Sequence, residues 1–136
     1  MKKINFLEIH FQSLESFKKE AATALSKQVV SKQPANQIVF DSVASFRSFM
    51  TIQKIELLTT IATQKPSSIY VLAKLVARDF AAVLRDCVGL ESTGFILLKA
   101  TDDAKKTKIP RLRFNYRGIA ICMPNTPYQI EFGLAA

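Results

Sequence analysis

The chain has 136 residues, of which 49% are apolar, and it carries 19 basic against 11 acidic residues for a net charge of +8. That length supports one core and is short for two domains. No apolar run reaches the roughly 20 residues a membrane-spanning helix requires, and only four glycines leave none for a glycine-rich phosphate loop.

Met1-Lys2-Lys3 opens like a secretory signal, but Glu8 and His10 interrupt the apolar stretch and no small-residue cleavage site follows, so a cytoplasmic protein is expected. Residues Ile4 to Phe11 read as a strand. Ser13 or Ser16 then starts a helix to about Gln28, with Phe17, Ala21, Ala24 and Leu25 on its apolar face. Ser31 to Asn36 is a loop, Ile38 to Phe40 a second short strand, and Val43, Phe46, Phe49 and Met50 mark another helix. So small an α/β unit cannot cover both of its faces alone, and a homodimer is expected.

From Thr51 the pattern changes to three helices. Thr51 can cap the first, whose apolar positions Ile55, Leu58, Ile61 and Ala62 share a face. Gln64-Lys65-Pro66 stops it, because the residue before proline is pushed out of the α region. Ser67 or Ser68 caps the second helix, with Ile69, Leu72, Ala73 and Val76 inward. Arg78-Asp79 turns the chain into the third, where Phe80, Val83, Leu84, Cys87 and Leu90 face inward and Gly94 closes the end. Gly89 inside that helix should cost roughly 1 kcal/mol relative to alanine.

Phe95 to Ala100 is a short apolar strand. Thr101 to Ile109 carries Asp102, Asp103, Lys105, Lys106 and Lys108, with too little apolar surface for a core. In Pro110 to Arg117 the alternation puts Leu112, Phe114 and Tyr116 on one face and Arg111, Arg113, Asn115 and Arg117 on the other, a half-buried cationic strand. Ile119 to Met123 is a further apolar run that pairs beside that strand or covers the core. In the tail, residues 124–136, Tyr128, Ile130 and Phe132 alternate as in a last edge strand packed on its own domain, with a docking segment as the other reading.

Three helices followed by a lysine-rich hairpin are the parts of a winged helix-turn-helix. The expected fold class is therefore α+β: a winged helix-turn-helix domain at 51–123, an N-terminal α/β dimerisation extension at 1–50 and a C-terminal tail. Charge follows the same division, with twelve basic against six acidic residues in 51–123. Each cation set against a phosphate releases condensed counterions, so double-stranded DNA is the expected partner.

The runs Ile55-Glu56-Leu57-Leu58, Lys65 to Ala73, Ala77-Arg78-Asp79 and Leu90 to Ile96 resemble a family of predicted prokaryotic regulators, the MarR-like winged helix-turn-helix proteins, which includes antitoxins of toxin–antitoxin pairs. The resemblance implies a dimeric repressor that also binds and neutralises a cognate toxin. Two departures stand out. Val71 replaces a glutamate that would complete a capping box with Ser68, and Ala81 and Ala82 stand where relatives carry polar side chains able to reach bases. Alanine touches a thymine methyl but makes no bidentate bond. A winged-helix protein-interaction module with weak or nonspecific DNA binding is the alternative.

Candidate DNA-binding residues are assigned on this frame. Ser67, Ser68 and Tyr70 stand where free N–H groups and hydroxyls hold a phosphate, although capping alone also explains Ser68. Arg78 lies at the turn and Ala81, Ala82 and Arg85 on the third helix, where Arg85 is the best guanine contact. Lys105, Lys106, Lys108, Arg111 and Arg113 would follow the backbone from the hairpin. Phe80, Phe95, Phe114 and Tyr116 read as core. Cys87 and Cys122 read as buried thiols without a disulfide. The single histidine, His10, sits in the N-terminal strand with no partner cysteine or glutamate at metal-ligand spacing, so neither an enzyme nor a cofactor or metal is expected.

Overall fold

The computed structural model describes residues 5–12, 36–101, 107–123 and 129–134. The helix expected from Ser13 or Ser16 to Gln28 therefore lies outside the described residues, as do Lys105 and Lys106 and most of the expected loop at 31–36. Within the described residues the chain is a mixed α+β structure with four helices and two sheets.

Three of the four described helices start where a hydroxyl takes a free backbone N–H. Ser42 accepts from Ser45 N at 3.1 Å and opens α1 (Val43–Phe49). Thr51 accepts from Lys54 N at 3.2 Å and opens α2 (Ile52–Gln64). Ser68 accepts from Val71 N at 3.1 Å and opens α3 (Ile69–Val76). The exception is α4 (Phe80–Thr93), where Asp79 makes no side-chain cap bond. Left-handed residues end the last three: Lys65 with φ 46°, Ala77 with φ 57° and Gly94 with φ 105°. At Gly94 the amide bonds Leu90 O and Glu91 O while Phe95 N returns to Leu90 O, satisfying carbonyls the helix leaves open.

Behind α4 comes an antiparallel hairpin of β3 (Ile96–Ala100) and β4 (Lys108–Leu112), with Ile96 opposite Leu112 and Lys99 opposite Ile109. The strand expected over 110–117 ends at Leu112. Tyr116 draws the chain inward instead: its ring is buried, its hydroxyl donates to Phe95 O at 2.8 Å, and its amide bonds Phe114 O at 2.8 Å. The alternating burial of Leu112, Phe114 and Tyr116 thus runs through a turn as well as a strand.

The second sheet holds β1 (Phe6–Phe11), β2 (Gln37–Phe40), β5 (Gly118–Cys122) and β6 (Gln129–Gly133) in the order β2-β1-β5-β6. β1 runs parallel to both β2 and β5, and β6 closes the other edge antiparallel to β5. The apolar run at 119–123 therefore pairs with the N-terminal strand and not with β4. This sheet draws strands from residues 1–50, from residues 51–123 and from the tail. The tail forms the expected edge strand, and Leu134 beyond it is buried.

One apolar cluster joins the layers. Leu7, Ile9, Ile38 and Ile119 from the sheet are buried together with Leu57, Leu58 and Ile61 of α2, Leu72 of α3, and Val83, Cys87 and Leu90 of α4. Two assignments of inward faces change. Leu57 is fully buried while Ile55 is only half-buried, because α2 packs against both α3 and β4. Phe80, expected in the core, is 44% exposed: it occupies the first turn of α4, beyond the edge of that cluster.

Candidate functional site

The second and third helices of the tri-helical run meet the hairpin at one open cleft. The start of α3 contributes Ser68, Ile69 and Tyr70, the start of α4 contributes Phe80 and Leu84, and the start of β4 contributes Thr107 and Lys108. Its volume is about 520 Å³. Tyr70 and Phe80 form its aromatic wall, ring centroids 6.5 Å apart, and the Lys74 ammonium lies 4.6 Å over the Tyr70 ring. Phe80 was invisible as a site residue because its phase on α4 matches that of Val83, Cys87 and Leu90. Only its position at the end of the helix leaves it open.

Of the sequence-assigned residues, Ser68, Tyr70 and Lys108 converge here. The Ser68 hydroxyl already serves Val71 N, and Ser67 beside it is exposed. Along the outer face of α4, Ala81, Arg85 and Val88 are exposed at successive turns while Ala82 is half-buried. Among the described residues no hydrogen bond or ion pair holds Arg85, so its guanidinium is available to a ligand.

Three other arginines are committed to the fold or turned elsewhere. Arg78 Nη2 pairs with Asp86 Oδ2 at 2.9 Å, both side chains largely covered, which ties the turn before α4 back onto that helix. Arg111 Nη1 donates to Pro66 O and Pro110 O, each at 2.7 Å, and clamps β4 to the turn between α2 and α3. The Arg113 guanidinium is exposed and crosses Gly94, 3.1 Å from where a Cβ would lie there.

A second constellation lies on the outer face of the four-stranded sheet. His10 Nε2 and Glu8 Oε1 are 2.9 Å apart, and Cys122 Sγ completes a trio whose ligand atoms all lie within 4.8 Å of one another. This corrects the reading of His10 as having no such partners: Glu8 is two residues back on the same strand face, and the cysteine arrives from β5. Such a donor set could hold a metal ion. Burial, then the nearby Glu8 carboxylate, push the Cys122 thiol pKa up. The other thiol, Cys87, is fully buried, and burial with Asp86 beside it pushes its pKa up to about 12. Both cysteines are free thiols, although Cys122 is only half-buried.

Residues 49–121, more than half of the chain and the run from α2 through the hairpin into β5 as far as Ile121, match the model of the HVO_A0114 family. The chain belongs to the HVO_A0114 family. No curated protein matches it. The part that matches this HVO_A0114 model contains the cleft and the outer face of α4, but none of Glu8, His10 and Cys122. No described helix is long and apolar enough to cross a membrane.

Proposed function

We propose that this HVO_A0114-family protein is a DNA-binding transcriptional regulator, a repressor whose α3, α4 and β3–β4 hairpin act as a winged helix-turn-helix. The observation that carries the reading is the unpaired, exposed Arg85 on the outer face of α4, beside a cleft edged by Ser68, Tyr70 and Lys108. In this reading α4 enters the major groove, Arg85 reaches a guanine edge, the start of α3 meets a phosphate, and the lysines of the hairpin follow the neighbouring backbone. The excess of positive charge in 51–123 supports it, since phosphate binding draws on that charge.

With Ala81 and Val88 flanking Arg85, direct base reading is sparse and the phosphate contribution dominates. The regulator works as a cytoplasmic homodimer on a two-fold site, with half-sites about one helical turn apart. The sequence resemblance to MarR-like antitoxins supports a cognate toxin as its protein partner, and no catalytic role is part of the reading. The exposed apolar Val88 and Ala81 on α4 favour the second reading, a winged-helix surface used chiefly for protein contact.

Binding of the purified protein to its own promoter fragment and to scrambled DNA, across a salt series, separates these readings. The repressor binds the promoter more tightly, loses that preference in Arg85→Ala, and loses affinity for both DNAs alike in Lys108→Ala. Failure to bind either DNA at low salt overturns the proposal in favour of the protein-contact reading.

A further inference from the structure

The trio on the outer sheet face takes no part in that reading. Its placement follows from strand geometry. Leu7 and Ile9 are fully buried on the core side of β1, so the alternation sends Glu8 and His10 to the opposite face. β5 lies parallel beside β1 with Glu8 level with Ala120 and Ile9 level with Ile121. One step further, Cys122 stands level with His10. Imidazole, carboxylate and thiol are thereby carried on neighbouring strands that over a hundred residues of chain separate.

We propose that Glu8, His10 and Cys122 form a three-ligand site for a zinc-class divalent transition metal, bound through His10 Nε2, a Glu8 carboxylate oxygen and Cys122 Sγ. The donor types decide the class. Thiolate and imidazole are poor ligands for magnesium or calcium, whereas zinc takes nitrogen, sulfur and oxygen donors together. Tetrahedral zinc needs ligand atoms about 3.3 to 3.6 Å apart, given bonds of about 2.0 to 2.1 Å to nitrogen and oxygen and about 2.3 Å to sulfur. The described trio brackets that spacing, from 2.9 Å for the His10–Glu8 pair to no more than 4.8 Å overall. Small rotations of three partly exposed side chains bring it to size.

The surroundings fit as well. Gln129 Nε2 donates to Cys122 Sγ at 3.4 Å, an outer contact of the kind that orients a sulfur ligand. Ala120, level with Glu8, places no polar side chain between β1 and β6 at that register. The fourth position falls to water. On binding, the thiol proton leaves to solvent and the zinc–sulfur bond forms without change of oxidation state. The ion would cross-link β1 to β5 and so couple the stability of the central sheet to zinc concentration.

The test uses the full chain, free of any affinity tag and stripped with chelator, titrated with Zn²⁺ by calorimetry and with Co²⁺ by absorption. The site takes one ion per chain, Co²⁺ gives a near-ultraviolet thiolate charge-transfer band, and Zn²⁺ raises the melting temperature. Cys122→Ser and His10→Ala each lose at least about tenfold in affinity, which even removal of an outer-shell partner commonly costs, while Cys87→Ala keeps it. Melting each metal-free variant separates loss of ligand from loss of fold. Absence of binding, a Co²⁺ spectrum without the thiolate band, or equal affinity in folded Cys122→Ser overturns the proposal.

Discussion

Cys87 and Arg111 illustrate how a side chain's surroundings redirect its chemistry. The Cys87 thiol, in the core cluster, is held neutral up to about pH 12 against an ordinary value of 9.0, chiefly by burial. Its folded pKa is raised, so the stability it contributes is fully present below about pH 9 and is lost as pH rises toward 12. The slope is at most about 1.4 kcal/mol per pH unit. Thermal unfolding across that range should therefore show the native sequence losing stability more steeply than Cys87→Ala. Parallel curves would mean that the native thiol titrates like an unfolded one. Arg111, read from sequence as a phosphate contact, spends its guanidinium on Pro66 O. Arg111→Ala should lower stability by about 1 to 3 kcal/mol, the cost of leaving a partly buried acceptor unmade. A denaturant titration measures it, and an unchanged midpoint would make the clamp dispensable.

Among the elements, α4 has one glycine inside it and another at its C-terminal cap, with opposite roles. Gly89 sits inside the helix with its nearest obstacle to a Cβ an ordinary 3.8 Å away, at Phe49 Cε1. Gly89→Ala should stabilise the protein by roughly 1 kcal/mol, through helix propensity alone. Gly94 holds φ at 105°, and a Cβ there would meet the Arg113 guanidinium at 3.1 Å. Gly94→Ala should destabilise by about 1 to 3 kcal/mol because alanine rarely adopts that backbone conformation. Paired melting curves check both, and shifts of the same sign would refute the distinction. The two positions also differ in how the residues announce them. Gly94 falls where the periodicity of α4 ends, so its cap was readable, whereas the Gly89 site needed its neighbours to be interpreted.

Across the whole molecule, the sheet and the helices share one apolar cluster, so they should unfold together. Ile119→Ala, at the centre of the sheet, and Leu58→Ala, in α2, should each lower the same single transition by about 2 to 5 kcal/mol. Far-ultraviolet dichroism and tyrosine fluorescence, followed in parallel, would reveal any separate sheet transition, and two resolved steps would contradict the shared core. Because β5 is central to that sheet, the segment after the hairpin is bound to the N-terminal strand and not to its neighbour in sequence.

What could be read along the chain was local. Thr51 and Ser68 caps, the Pro66 stop, the Gly94 end and the β3–β4 hairpin rest on bonds a few residues long, and a spacing of three or four suffices to find them. The open cleft was half legible, since Ser68, Tyr70 and Lys108 stood out as polar or charged and Phe80 was hidden by its helical phase. Tertiary structure alone decided the rest: the parallel pairing of β1 with β5, the capture of Arg78 by Asp86 and of Arg111 by Pro66 O, and the meeting of Glu8 and His10 with Cys122. Those pairings close when distant apolar faces are buried against each other, and no local period records which partner the core will bring.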